Sequence, residues 1–254
     1  MMLSSSYRNM YKKTAAVLFA LLFWQLTASA IGQSILIAGP FEVLNSLTML
    51  IRTKEFYLTV IHSFSGISLG FIYAFVLASI LGFISYKYDF FSTLLYPYVL
   101  MTKSVPVASF VILALMYVGS GNLSIFISFI MVFPIIYTNI LGGFKAVDIK
   151  LLEFAKVYGI KGFRKFRYIY FPEMFEHIYS ALKAAAGIAW KAGVAAEIIG
   201  LSRNSIGFKL YESKLYFSIT DLFAWTLVII LLSLGFEKLC VFILRTVYRY
   251  ACNK

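Results

Sequence analysis

Charge is scarce in this chain. Of its 254 residues 13% are Asp, Glu, Lys or Arg, whereas 61% are apolar. A water-soluble domain carries roughly 25% charged residues to cover its surface, so a soluble globular protein is excluded. Acids are rarer still, 11 against 23 basic residues, for a net charge of +12. Cysteine and histidine are nearly missing: Cys240, Cys252, His62 and His177 are the full set. They form no CxxC and have no metal-ligand spacing, which removes redox-dithiol and zinc chemistry. The two cysteines read as lone residues near the end of the last apolar run. Also lacking are a GxxxxGK[ST] phosphate loop, HExxH, GxSxG and any clustered carboxylate pair. The chain therefore has no usual means of hydrolysing a nucleoside triphosphate, and no cofactor is expected.

What is abundant is apolar sequence in long runs. A helix needs about 20 mostly apolar residues to cross the hydrocarbon core of a bilayer. Six stretches qualify, at about 14–31, 60–86, 94–118, 123–141, 178–200 and 222–244. The first ends in Ala28-Ser29-Ala30, which resembles a signal-peptidase site, but its apolar length favours an uncleaved span. In the third stretch Pro106 predicts a kink or a restart, because proline lacks an amide donor and clashes with the preceding turn. Gly119 to Asn122 form a turn into the fourth stretch, where Pro134 predicts another kink. The fold class expected is all-α, a polytopic membrane protein with about six transmembrane helices in one domain over 1–254.

The basic residues orient it. An even number of spans puts both termini on one side. That side receives Arg8, Lys12, Lys13, Lys87, Lys145, Lys150, Lys156, Lys161, Arg164, Lys165, Arg167, Arg245, Arg249 and Lys254. The other receives Arg52, Lys54, Arg203, Lys209 and Lys214. Fourteen against five follows the positive-inside rule, so both termini are expected in the cytoplasm. The positive charge is thus sorted by topology, and no nucleic-acid partner is expected.

Seven of the fourteen lie in one cytoplasmic loop, about 143–177. Within it, residues 148–159 read as a short helix with Asp148 as N-cap and Gly159 as the left-handed terminator. Leu151, Leu152, Ala155 and Tyr158 recur at helical spacing and predict one apolar stripe. Such a helix suits a partner's groove or the lipid headgroups. A second short helix is expected at about 163–170, with Pro172 opening the approach to the fifth span.

The loop resembles the EAA signature of importer-type ABC permeases: Glu-Ala-Ala, three residues, Gly, nine residues, Ile, one residue, Leu-Pro. Here Glu153-Phe154-Ala155, Gly159, Ile169 and Phe171-Pro172 keep every spacing. Phe154 and Phe171 depart in identity and remain apolar. The resemblance implies a coupling helix seated in a cleft of a cytoplasmic ABC ATPase subunit, with Glu153, Ala155 and Gly159 at the contact. It also implies an extracellular or periplasmic solute-binding protein, a permease homodimer and alternating access driven by the ATPase. Softer matches at 37–44, His62-Ser63, Gly187-Ile188-Ala189-Trp190 and Ala196-Glu197 are similar to the subfamily importing nitrate, taurine and aliphatic sulfonates. Related members resemble permeases for pyrimidine precursors of thiamine.

The fifth span is rich in small residues. Ala185, Ala189 and Gly193 follow the small-xxx-small pattern that lets helices approach closely. They point to packing against neighbours in the same chain or against a second copy. The same span holds Lys183, Lys191 and Glu197, and an ionisable group in a span must pair or face water. Lys183 is near enough to the cytoplasmic end to snorkel, and Lys103 reads as interfacial. Lys191, near the middle, suits the substrate pathway or a buried pair; Glu197 suits a partner or a gate residue. The alternative function, an ion-coupled secondary transporter or channel, needs a buried acid in a broken helix. On this reading Glu197 is the one acid well inside a span.

Overall fold

The computed structural model describes residues 2–32 and 37–252, with side chains for 11–12, 14–32, 37–102 and 104–251. Lys254 lies outside the described residues, as do the side chains of Arg8, Lys13, Lys103 and Cys252. The described residues are helical and contain no strand. In chain order the helices are α1 (Met2–Ile31), α2 (Pro40–Ile51), α3 (Lys54–Lys87), α4 (Asp89–Ser104), α5 (Val107–Val118) and α6 (Leu123–Lys145). Then come α7 (Ile149–Val157), α8 (Gly162–Lys165), α9 (Phe171–Ile199), α10 (Ile206–Leu215) and α11 (Ile219–Cys252).

Four runs are long and apolar enough to cross a membrane: Thr14–Ile31, Lys54–Lys87, Ser120–Lys145 and Ile219–Ala251. The pair α4 and α5 is apolar enough only when taken together, and its sharp bend at Val105-Pro106 is the geometry of a broken span or a re-entrant loop. Proline's fixed φ and missing amide end α4 there, and Pro106 becomes the N-cap of α5. The remaining stretch is α9, whose 29 residues are long enough but carry alanines, glycines and charges that make it less apolar. Large apolar side chains lie exposed along α3 and α11, among them Ile72, Val76, Ile80, Leu231, Leu234 and Phe242. In water this surface would aggregate, whereas lipid solvates it, and the chain is a polytopic membrane protein.

The chain divides into two compact units. One comprises the residues up to Leu58 together with Lys209–Val228. Its core joins Ala38, Val43 and Ala224 to Trp24, Leu47 and Phe223. The Trp24 indole N–H donates to the Ala38 carbonyl at 3.0 Å. Asp221 accepts from the Ser46 and Ser218 hydroxyls. Lys209 reaches Glu55 at 2.6 Å and Glu212 at 2.7 Å.

The other unit comprises Thr59–Phe208 with the chain from Ile229 onward. At its centre α6 packs along α9, with α3 against both. The approach is close enough to require glycine: a Cβ on Gly70 of α3 would lie 2.3 Å from the Ile125 carbonyl oxygen of α6. Ala185, Ala189 and Gly193 are all buried in this unit. A Cβ on Gly193 would meet Ile67 at 2.6 Å and Ser128 at 2.7 Å, so the small-residue face of α9 packs within the subunit.

Candidate coupling loop and membrane charges

Both ends of α7 are closed by the residues that the sequence marks. The Asp148 carboxylate accepts from the Lys150 amide at 2.9 Å. At the other end Gly159 has φ +64°, the left-handed conformation that costs glycine no Cβ clash. The Ile160 amide donates to Ala155 at 2.8 Å and the Gly159 amide to Lys156 at 3.3 Å. Those two bonds make a Schellman motif, and Ile160 packs back toward Ala155 as that motif favours.

Beneath α7, Val147, Ala155 and Ile169 form a small core flanked by Leu152, Ile160 and Tyr170. This splits the single stripe that helical spacing predicts. Leu152 and Ala155 turn inward, whereas Leu151 and Tyr158 are exposed, Tyr158 at 67%. The outward face also bears Glu153, Val157 and Phe154, with the Phe154 and Tyr158 rings 4.3 Å apart. Of the EAA residues, then, Glu153, Phe154 and Gly159 are at the surface, and Ala155 and Ile169 are inside. Ala155, with no exposed area, offers no surface for direct contact.

The expected second short helix has no end of its own. From Gly162 the chain is continuously helical into α9, through a π turn at Phe166–Tyr170. There the Phe171 amide donates back five residues to Phe166. Pro172 follows directly, and the wider turn relieves the clash its ring makes with a preceding carbonyl. Pro172 thus lies inside a continuous rod, where the sequence suggests a boundary. Arg167, which no motif singles out, forks onto the end of α11. Its Nε donates to the Ala251 carbonyl at 2.8 Å and an Nη to Tyr250 at 3.2 Å. A cation there also complements the negative end of the helix dipole.

The charges of α9 have three different surroundings. Lys183 pairs with Glu237 of α11 at 3.9 Å. Glu237 lies within the last apolar run, so Glu197 is not the lone acid inside a span. Lys191 is exposed and has no ion pair among the described residues. Glu197 is fully buried. Its Oε2 accepts from the Ser63 hydroxyl at 2.9 Å and from the Gly207 amide at 3.0 Å. Ser63 in turn accepts from the Ile206 amide at 2.8 Å. One carboxylate thereby ties α3 and the start of α10 to the end of α9. Long-range partners such as Ser63 and Gly207 leave no local pattern; the soft matches at His62-Ser63 and Ala196-Glu197 mark two of these residues without pairing them.

Residues 66–248 match the family described as "Binding-protein-dependent transport system inner membrane component". A probable ABC transporter permease protein of Brucella melitensis biotype 1 is 25% identical over 218 residues, covering 85% of this chain and 87% of the relative. A putative ABC transporter permease protein of Methanocaldococcus jannaschii is 28% identical over 206 residues, 79% of this chain and 77% of its own. A putative aliphatic sulfonates transport permease protein of Bacillus subtilis is 24% identical over 212 residues, 82% and 75% respectively.

Proposed function

This chain belongs to the binding-protein-dependent transport inner-membrane component family and is an ABC transporter permease subunit, and from that premise we propose that it imports a small anion under the drive of a cytoplasmic ATPase bound at α7. The observation that carries the reading is the face formed by Glu153, Phe154, Val157 and Tyr158. Exposed aromatic rings on a helix fixed at both ends, in a loop of high positive charge, suit a protein groove. The ATPase closes on nucleotide, moves α7, and the continuous path from Gly162 through the π turn carries that motion into α9. Two permease copies and a solute-binding protein complete the transporter, and the loop of about 143–177 belongs to one permease domain.

Lys191 is our candidate for the pathway. An unpaired lysine midway along a membrane helix has to face water or a partner, and its charge suits an anionic solute. Glu197 serves the same path as the tie that holds its outer end. The relative named for aliphatic sulfonates supports a sulfonate; taurine or a nitrate-like anion falls within the same reading, and a thiamine-precursor pyrimidine is second.

The test is co-purification of the tagged chain with its native neighbours, followed by uptake in sealed vesicles. A stoichiometric ATPase, lost on Glu153→Lys, together with uptake that follows ATP, is the expected outcome. Uptake that follows an ion gradient, with no nucleotide-binding partner present, overturns the reading in favour of a secondary transporter.

A further inference from the structure

An open groove of about 940 Å³ runs between α3, α6 and the foot of α9. That is the upper end of the range for small-molecule pockets, about 300–1,000 Å³. Its walls are apolar, with Phe75, Ile80 and Phe83 from α3, Ile140 and Phe144 from α6, and Ile178 from α9. One end is different: Lys87 and Lys165 stand at the mouth with the Tyr86 and Tyr170 rings. Among the described residues no acidic side chain lines the groove.

Two properties of this groove identify its occupant. The first is length. From Phe75 to Lys87, α3 advances about 18 Å at 1.5 Å per residue. Half the hydrocarbon thickness of a bilayer is about 15 Å, so the groove is long enough to span one leaflet from headgroup level to the midplane. The second is charge. Basic side chains at the headgroup level of an interhelical pocket attract anionic lipid headgroups. Tyr170 adds no opposing charge: a phenol is neutral at pH 7, and burial and the bond to Tyr86 push this one further up, to about 12. The two hydroxyls lie 3.3 Å apart, leaving one O–H free to donate outward. A second copy on a two-fold axis is a poorer fit, since it would bring the same lysines face to face.

We propose that this groove seats one anionic phospholipid, with an acyl chain along α3 from Lys87 toward Phe75 and the phosphate held by Lys87 and Lys165. The site goes beyond the coupling function and borrows from it only the level of the loop at the membrane surface.

The test uses the full transporter extracted in mild detergent, washed, and supplied with equal phosphatidylglycerol and phosphatidylcholine before native mass spectrometry. Wild type is expected to retain phosphatidylglycerol selectively, and millimolar inorganic phosphate is expected not to displace it. Lys87→Gln with Lys165→Gln should weaken that retention about 30-fold, about fivefold per lysine, with phosphatidylcholine unchanged. Ser79→Phe, which crowds the apolar wall and leaves both lysines, should reduce either lipid. Equal retention of the two lipids by wild type, displacement by phosphate, or a double variant that binds normally would overturn the proposal. So would variants that keep their lipid and lose only the second permease copy. The same spectra report the ATPase: lipid retained without ATPase sinks the coupling function alone, and ATPase retained without lipid sinks the lipid site alone.

Discussion

Glu197 and Glu153 are both carboxylates in this chain, and they call for opposite substitutions. Glu197→Ala strands the Ser63 hydroxyl and the Gly207 amide, and an unsatisfied buried donor costs about 1–3 kcal/mol. A lowered unfolding temperature in detergent is therefore expected, with uptake falling in parallel. Glu197→Gln retains an acceptor oxygen and should keep most of that stability. If the glutamine variant is stable yet inactive, the negative charge itself serves transport; if it is both stable and active, the tie is what matters. Glu153 is exposed, so Glu153→Lys should leave stability unchanged and abolish uptake together with ATPase co-elution. Normal uptake would remove α7 from the coupling role. Gly159→Val forces a β-branched residue into a left-handed conformation at about 1–3 kcal/mol, and uptake is expected to be lost while membrane insertion persists.

Between helices, α3 approaches α6 closely at Gly70. Gly70→Ala sets a Cβ 2.3 Å from a backbone oxygen, and backbone cannot rotate away as a side chain can. Overpacking of this kind costs about 1–3 kcal/mol, so the expected result is a lower melting temperature. The Arg167 fork makes a separate prediction. Arg167→Ala should raise amide exchange at the end of α11, and Arg167→Lys should rescue it only in part, because lysine cannot supply two fixed N–H groups. Equal protection in all three proteins would mean that the fork carries no load. Much of the element structure was legible: Asp148 and Gly159 carry capping chemistry, and Pro106 carries a break, in the residues themselves. The single stripe on α7 was misread because spacing groups Leu151 and Tyr158 with Ala155, whereas which residue turns inward depends on Val147 and Ile169 beneath. The π turn and the Arg167 fork were invisible, since each depends on partners that no local pattern reveals.

At the scale of the molecule, the apolar runs and the segregation of lysine and arginine made the membrane class readable, and the loop spacing pointed to the family. Orientation is open to direct measurement. In a background with Cys240 and Cys252 replaced by serine, a cysteine at Lys156 should resist a membrane-impermeant maleimide in intact cells and react in inverted vesicles. A cysteine at Lys214 should behave in the reverse way. Labelling of position 156 from outside would invert the topology and place α7 beyond the reach of any cytoplasmic ATPase.

The turn at Phe166–Tyr170 also has a consequence for angular phase. A π turn is an α-helix with one residue too many, and each residue of an α-helix advances the screw by about 100°. In a regular helix an added residue would swing everything before it about a third of a revolution around the axis, but the wide turn absorbs it locally, so the segment from Gly162 keeps its bearing on α9. The turn thus takes in a surplus residue beside Pro172 while the compass bearing of the chain that leads into α9 stays where a regular helix would put it.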